Sequence, residues 1–232
     1  MSLGLAVLLA VVGYVIGSIS FARIVGAKVA AGEDLTSTTL DLPGEATIDY
    51  GGVSATSIAV RRGPKWGIVT GALDMAKAFV PVLATRFVWP DDHYHLVVAV
   101  AAVVGHNYPV FYRFKGGRGQ TPIYGGLLAV DWLALPVTTI VGTSVGLFAM
   151  RDMFAAYALG MWLLIPWFWW RADAAHVIYA VIVNLLFVVA TIPEMRQYFE
   201  RRRNGELKQV KTWAEFRNSH PAVRGGRDEG SE

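Results

Sequence analysis

The sequence predicts an all-α polytopic membrane protein with about seven transmembrane helices. Of its 232 residues, 54% are hydrophobic and only 17% are charged, and its mean hydropathy is +0.41, whereas soluble domains carry about 25% charged residues. Seven apolar runs follow one another along the chain, and a helix needs about 20 such residues to cross a bilayer. Basic residues also alternate between the connections, as they do in multi-pass proteins. Together these observations argue against a soluble globular enzyme.

The apolar runs cover residues 3–25, 66–88, 96–114, 123–136, 137–150, 154–170 and 174–192. The fourth and fifth runs are short for a hydrocarbon core of roughly 30 Å, so they are tilted, broken or merged. We place the boundary between them at Pro136. Within the first run, Gly13 and Gly17 form a Gly-x-x-x-Gly pattern, which is typical of a close contact between two helices.

The distribution of Lys and Arg predicts the orientation. The first, third and fifth connections are the basic ones, with residues Lys28, Arg61, Arg62, Lys65, Arg113, Lys115, Arg118 and Arg151. By the positive-inside rule these connections and the C-terminus are cytoplasmic, and the N-terminus is outside. The sequence therefore predicts a membrane-embedded domain, 1–193, and a cytoplasmic tail, 194–232, in the cytoplasmic (inner) membrane.

The tail does not indicate a nucleic-acid partner, because its nine basic residues are balanced by seven acidic ones. Its segment 196–211 is either a helix on the membrane surface or a solvated tail that follows the charge rule.

The segment 105–119, Gly-His-Asn-Tyr-Pro-Val-Phe-Tyr-Arg-Phe-Lys-Gly-Gly-Arg-Gly, is the most specific in the chain. Its last five residues, which we call the glycine loop, combine three glycines with two cations. They are Lys115, Gly116, Gly117, Arg118 and Gly119. Glycines allow the backbone to approach a ligand, and successive N–H groups with positive charge favour phosphate. The segment lacks the Gly-Lys-Ser/Thr ending of a Walker loop. The alternative is a flexible basic turn favoured by the topology.

Other polar residues allow two interpretations each. Asp74 and Lys77 lie three apart in the second run, where they either pair structurally or serve function. His106 is either a general base near the glycine loop or a buried histidine bonded to a neighbouring helix. We expect His93 and His95 to face solvent in an outer loop without further ligands in a metal-binding spacing. The chain has no Cys, and we expect no metal or cofactor.

The segment Gly-His-x-Tyr-Pro-Val-Phe, followed by Phe-Lys-Gly-Gly-Arg-Gly, resembles the central signature of a bacterial family. These are the membrane glycerol-3-phosphate acyltransferases that use acyl phosphate, the PlsY type. Residues 17–21, Gly-Ser-Ile-Ser-Phe, are similar to the family's Gly-Ser-Ile-Pro-Phe, and residues 74–81 are similar to its Asp-x-x-Lys-Gly-x-x-Pro. The matches follow the family's order.

The resemblance implies seven spans and an outside N-terminus. It also implies transfer of a fatty acyl group from acyl phosphate to the 1-hydroxyl of glycerol 3-phosphate, without a covalent intermediate on the protein. By resemblance, Arg118 replaces a functional Lys of the family and keeps its charge. Phosphate binding would then involve the glycine loop, the hydroxyls of Ser54, Thr56 and Ser57, and the neighbouring cation Arg61.

The chain departs from the family pattern at several polar positions. The family's Ser, two Asn and Arg of the first connection, and the His and Asn after the last span, correspond here to Tyr50, Gly52, Ser57, Val60, Met195 and Tyr198. Each lost hydrogen bond costs about 1–3 kcal/mol, so two hypotheses stay open. The first is an acyltransferase with acyl phosphate and a phosphorylated acceptor as substrates and lipids around it. The second is a non-catalytic structural or lipid-binding subunit with membrane-protein partners. A transporter is less supported, because the sequence shows no inverted repeat.

Overall fold

The computed structural model describes residues 1–42 and 46–207, which form ten α-helices and one two-stranded sheet. The first half contains α1 (Leu3–Gly17), α2 (Phe21–Val29), β1 (Ser37–Asp41), β2 (Thr47–Gly51), α3 (Ala55–Arg62), α4 (Pro64–Val88) and α5 (Tyr94–Asn107). The second half contains α6 (Gln120–Val130), α7 (Ala134–Ser144), α8 (Met153–Trp162), α9 (Leu164–Arg171) and α10 (Ala174–Arg203).

Five helical segments within the described ranges are long and apolar enough to cross a membrane. They are Leu3–Val29, Pro64–Val88, Tyr94–Tyr112, Met153–Arg171 and Ala174–Arg203. The segment Ala134–Ala149, formed by α7 and the π turn that follows it, is apolar but shorter. Helix α6 has 11 residues and is therefore only about 16 Å long. The count of seven spans thus depends on two short helices and stays a prediction.

The break between the fourth and fifth apolar runs lies before Pro136, so the predicted boundary is wrong. Helix α6 ends at Val130 and α7 begins at Ala134. Asp131 stabilises the turn between them, since its carboxylate accepts hydrogen bonds from the Leu133 N–H (3.0 Å) and the Trp167 indole (2.9 Å). Pro136 lies in the first turn of α7, where proline removes no intrahelical hydrogen bond.

The first connection contains an antiparallel β-hairpin, so the prediction of an all-α fold is wrong at this point. Leu40 pairs with Ile48, and Ser37 with Gly51. Gln197 of α10 holds the hairpin, because its amide accepts from the Asp49 N–H (2.8 Å) and donates to the Asp49 carbonyl (3.0 Å). The hairpin is thereby attached to the C-terminal part of the last helix.

Helices α1 and α5 pack closely through the Gly-x-x-x-Gly pattern, as predicted. A Cβ at Gly17 would lie 2.2 Å from the Ala102 carbonyl oxygen, and one at Gly13 would lie 3.0 Å from the Val98 carbonyl oxygen. Without these side chains the backbones approach each other and gain van der Waals contact.

The connections meet in two groups at opposite ends of the helices. The N-terminus joins the second, fourth and sixth connections through the pairs Met1–Asp92 (2.9 Å), His93–Asp173 (2.8 Å) and Asp131–Arg171 (3.3 Å). The first, third and fifth connections join the C-terminal part of α10 through the pairs Arg118–Gly51 (2.7 Å), Asp49–Gln197 (2.8 Å) and Asp152–Arg202 (2.5 Å).

Helix α10 is continuous through 30 residues. The predicted division into 1–193 and 194–232 falls inside this helix and stays a prediction. The segment 196–211 is helical as far as Arg203, and its end, from 208 onward, lies outside the described residues.

Candidate active site

A cavity of about 470 Å³ lies between the hairpin and the helices behind it. Its walls come from the hairpin, the starts of α3 and α6, and the facing sides of α7, α8 and α10. The lining residues are Leu40, Leu42, Ile48, Tyr50, Thr56, Arg118, Gln120, Tyr124, Thr139, Thr143, Met153, Phe154, Ala156, Tyr157, Gly160, Thr191, Glu194 and Tyr198. The volume falls within the range of about 300–1,000 Å³ that is usual for small-molecule sites.

The lining is mostly apolar and includes two charged residues. Leucine, isoleucine and phenylalanine side chains of the hairpin and α8 form apolar wall, whereas Arg118 and Glu194 contribute opposite charges. An apolar cavity with a few polar groups is suited to a ligand that combines a hydrocarbon part with a charged head.

Arg118 and Glu194 form an ion pair at this cavity, with side chains that are 14% and 8% exposed. The guanidinium also donates through Nη2 to the Gly51 carbonyl oxygen (2.7 Å) and lies 4.9 Å from the centre of the Tyr50 ring. Two polar atoms of the pair, Arg118 Nε and Glu194 Oε2, are buried without a hydrogen-bond partner among the described residues. The pair therefore keeps one donor and one acceptor available.

The glycines of the loop contact the end of α5. A Cβ at Gly116 would lie 2.0 Å from the His106 carbonyl oxygen, and one at Gly117 would lie 2.2 Å from the His106 ring. The Gly117 N–H donates to the His106 carbonyl oxygen (3.1 Å), so this amide is already occupied. Gly119 has a φ of +82°, a left-handed conformation that favours glycine. None of these three glycines lines the cavity, and their packing explains the glycine-rich sequence without a ligand.

Lys115 is exposed and lies outside the cavity lining. Its carbonyl oxygen accepts a hydrogen bond from Arg23 (3.2 Å), which joins the loop to α2. Of the three cations predicted for the phosphate site, Lys115, Arg118 and Arg61, only Arg118 lines the cavity.

His106 lies in a buried cluster with Asp74 and Lys77 rather than at the cavity. Lys77 Nζ is 2.7 Å from Asp74 Oδ1, 2.6 Å from the Ile19 carbonyl oxygen and 3.0 Å from His106 Nδ1. An ammonium group has three donors and no acceptor, so His106 Nδ1 accepts and the proton of the neutral ring is on Nε2. The geometry thus corresponds to a buried histidine bonded to a neighbouring helix, and the Asp74–Lys77 pair holds α4 against α5 and residue Ile19.

Two of the three hydroxyls that were predicted to bind phosphate already make hydrogen bonds at the start of α3. Ser54 and Ser57 form a capping box: the Ser54 N–H donates to Ser57 Oγ (2.8 Å), and the Ser57 N–H donates to Ser54 Oγ (3.3 Å). The Ser57 hydroxyl also donates to the Ser54 carbonyl oxygen (2.8 Å). Only Thr56 lines the cavity.

Arg61 points toward the hairpin and does not line the cavity. It donates to the Ser37 carbonyl oxygen (2.5 Å) and lies 3.8 Å from Glu33, which also pairs with Arg62. Because successive residues of a helix point about 100° apart, neither arginine of α3 takes the position of Val60.

Sequence reasoning missed Glu194 and Tyr50 as site residues. Glu194 is the first acidic residue after the last apolar run, and an ionisable side chain at such a position was the available signal. Tyr50 replaces a family serine, and its ring stacks on the Arg118 guanidinium. Burial raises the pKa of the Tyr50 phenol above its ordinary value, although the positive charge of Arg118 opposes this shift. The phenol is therefore neutral at physiological pH.

The prediction that His93 and His95 face solvent is wrong for His95, which is buried. His93 Nε2 lies 2.8 Å from Asp173 Oδ2. Asp173 also accepts from the His176 ring (2.8 Å), and this hydrogen bond holds the pKa of the Asp173 carboxyl below its ordinary value.

Comparison with known proteins relates most of this chain to one protein family. A family profile described as glycerol-3-phosphate acyltransferase matches residues 7–205. A glycerol-3-phosphate acyltransferase of Pseudothermotoga lettingae is 35% identical over 116 residues, which are 46% of this chain and 57% of that protein. The chain thus spans less than two thirds of this relative's length. One from Methylobacillus flagellatus is 31% identical over 196 residues, covering 77% of this chain and 85% of the relative.

The fold is similar to that of a solved membrane protein. The crystal structure of PlsY (YgiH), an integral membrane glycerol 3-phosphate acyltransferase in its glycerol 3-phosphate form, superposes with a TM-score of 0.70. The two chains are 24% identical, and the superposition covers 88% of this chain and 94% of the other. With the profile match over residues 7–205, these findings show that the chain belongs to the glycerol-3-phosphate acyltransferase family.

Proposed function

We propose that this protein is a membrane acyltransferase of phospholipid synthesis. It transfers a fatty acyl group from acyl phosphate to glycerol 3-phosphate or a related phosphorylated acceptor. The observation that carries the proposal is the position of Arg118 in the wall of a largely apolar cavity. The donor combines a phosphate with a long hydrocarbon chain, and the cavity combines a cation with apolar walls. Family membership supports the same reaction.

Arg118 is suited to bind the phosphate. Its guanidinium is held by the Gly51 carbonyl oxygen and by the ring of Tyr50, so little side-chain entropy is lost on binding. Its Nη2 is occupied, whereas its Nε has no partner among the described residues. A phosphate oxygen can therefore be bound through Nε while the contact with Glu194 persists.

Glu194 is suited to accept the proton of the acceptor. Its Oε1 pairs with Arg118, and its Oε2 has no partner within 1–42 and 46–207. As the acceptor hydroxyl attacks the acyl carbon, the new ester C–O bond forms and the C–O bond to phosphate breaks. Oε2 takes the hydroxyl proton, and phosphate leaves with the bonding electrons. Such a base contributes about 10²–10⁴-fold to the rate.

The chain crosses the inner membrane seven times in this proposal, with α6 and α7 as short, inclined spans. The N-terminus is outside, and the hairpin, the cavity and the cytoplasmic tail, 194–232, are on the inner side. The two groups of connections support this arrangement, since the N-terminus meets even-numbered connections and α10 meets odd-numbered ones. The positive-inside rule assigns the second group to the cytoplasm.

The test is turnover of acyl phosphate and glycerol 3-phosphate by the full chain, purified in mild detergent. Arg118→Ala should lower turnover at least 100-fold, because the phosphate loses its cation. Arg113→Ala is the matched control. Arg113 is exposed, lies two residues before the glycine loop and does not line the cavity, so the turnover of this variant should be unchanged.

Absence of turnover with the wild-type chain under these conditions would reject the catalytic proposal for this donor and acceptor. The non-catalytic hypothesis would then be favoured if the same preparation retained other membrane chains.

A further inference from the structure

At the end of the molecule opposite the cavity, three side chains with metal-ligating atoms converge. His93 precedes α5, Asp173 caps the N-terminus of α10, and His176 lies in the first turn of α10. One ligand atom from each lies within 4.8 Å of the other two. Along α10, this cluster is about 30 Å from Glu194, so it is separate from the proposed active site.

We propose that His93, Asp173 and His176 form a binding site for a first-row transition-metal dication such as Zn²⁺. Two imidazoles and one carboxylate are a usual ligand set for zinc and related ions. Ligand atoms at about 2.1 Å from a tetrahedral metal are about 3.4 Å apart. The observed separations lie on both sides of this value: each histidine ring has a nitrogen 2.8 Å from a carboxylate oxygen of Asp173, and the three ligand atoms lie within 4.8 Å of one another.

The carboxylate of Asp173 is placed to serve the helix and the metal at the same time. Its Oδ1 accepts from the His176 backbone N–H (3.1 Å) and from the His176 ring (2.8 Å). Its Oδ2 contacts only the His93 ring (2.8 Å) within the described part of the chain. When the metal binds, the ring protons now directed at Asp173 shift to the other imidazole nitrogens, and Oδ1 keeps its capping hydrogen bond.

The surroundings provide room for the remaining coordination positions. A cavity of about 440 Å³ is lined by Asp173 and His176, together with Arg86, Asp131 and Arg171. Neither arginine competes for Asp173, because Arg86 donates to the Ala129 carbonyl oxygen (2.6 Å) and Arg171 pairs with Asp131. A water molecule or anion in this cavity completes the coordination of the metal.

The metal links two connections that are far apart in sequence, since His93 and Asp173 are separated by 80 positions. It therefore stabilises the packing of the second connection against the sixth.

The test is zinc binding to the full chain, purified through a tag without histidine and stripped with chelator. Calorimetric titration with ZnCl₂ should show one Zn²⁺ per chain. A thermal melt with Zn²⁺ should give a higher Tm than a melt of the metal-free chain. His93→Ala and His176→Ala should each weaken binding at least tenfold. Co²⁺ bound to the wild-type chain should give the visible absorption of a nitrogen and oxygen ligand set, and the double variant should not.

Two further variants separate ligation from folding. Asp173→Asn should also weaken zinc binding at least tenfold but leave the metal-free Tm nearly unchanged, because asparagine caps a helix as well as aspartate does. Asp92→Asn, in the same connection but outside the cluster, should bind zinc like the wild type. The proposal is overturned if the wild-type chain binds no Zn²⁺, or if the double His93→Ala/His176→Ala variant binds it equally well.

Discussion

Arg118 and Glu194 are 76 positions apart in sequence and form a partly buried ion pair at the wall of the cavity. The pair joins the glycine loop to α10, and in each residue one buried polar atom has no hydrogen-bond partner in the part of the chain that the structure describes. Removal of one member of a buried pair leaves an uncompensated charge, whereas the intact pair adds little net stability. In the proposed reaction, Arg118 Nε binds the phosphate and Glu194 Oε2 accepts the hydroxyl proton.

Glu194→Gln tests the role of the carboxylate as a base. Glutamine keeps the side-chain volume and a hydrogen-bond acceptor for Arg118, but it does not take up a proton. We expect turnover to fall about 100-fold or more with a KM for glycerol 3-phosphate within about threefold of wild type. Steady-state kinetics at saturating acyl phosphate measures both. Unchanged turnover would show that Glu194 only positions Arg118.

Arg118→Lys examines the cation in the proposed phosphate site. Lysine keeps the charge but loses the planar fork and the stacking on Tyr50. We expect a loss of about tenfold in kcat/KM, much less than for Arg118→Ala, with the comparison made in one assay. Equal losses for the two variants would indicate that guanidinium geometry, not charge, determines binding.

We expect the contributions of Asp74 and Lys77 to stability to be strongly coupled, because the two residues form an ion pair whose side chains are only 1% and 2% exposed. Asp74→Asn and Lys77→Met should each lower the free energy of unfolding by about 3–5 kcal/mol. The double variant should lose much less than the sum, because it leaves no unpaired charge. Unfolding in detergent, followed by circular dichroism, gives the four values of the cycle. Additive losses would contradict the coupling.

Gly17→Ala tests the close contact between α1 and α5. The new Cβ would lie 2.2 Å from the Ala102 carbonyl oxygen, so the helices must separate, and we expect a loss of about 1–3 kcal/mol. Gly4→Ala on the same helix has no atom within 4 Å and should leave Tm unchanged or slightly higher. A thermal melt of both variants measures the difference. If both variants melt together, the contact is looser than the structure describes.

The glycine loop shows how far a sequence pattern predicts the surroundings of a residue. The pattern of glycines and cations selected Arg118 as a candidate, and Arg118 lines the cavity; its role stays a prediction. However, Gly116 and Gly117 pack so closely on His106 that a Cβ at either position would clash with it. A sequence pattern does not distinguish a glycine that admits a ligand from one that admits a neighbouring helix.

The hairpin was missed for a related reason. Five-residue strands such as β1 and β2 have weak local signals, since strand propensity depends strongly on context. Their pairing is stabilised by Gln197, which belongs to a helix almost 150 residues later. The hairpin in turn places Tyr50 and the Gly51 carbonyl oxygen against Arg118.

The amino-acid pattern predicted the apolar helical segments and their order, because a membrane segment must satisfy its backbone hydrogen bonds locally and its composition reveals this need. The family was indicated by the resemblance of the motifs in 17–21, 74–81 and 105–119. Which polar residues meet became visible only in the packed structure: Arg118 with Glu194, His106 with Lys77, and His93 with Asp173. These contacts depend on how distant helices pack against each other, and neither hydropathy nor local spacing encodes that packing.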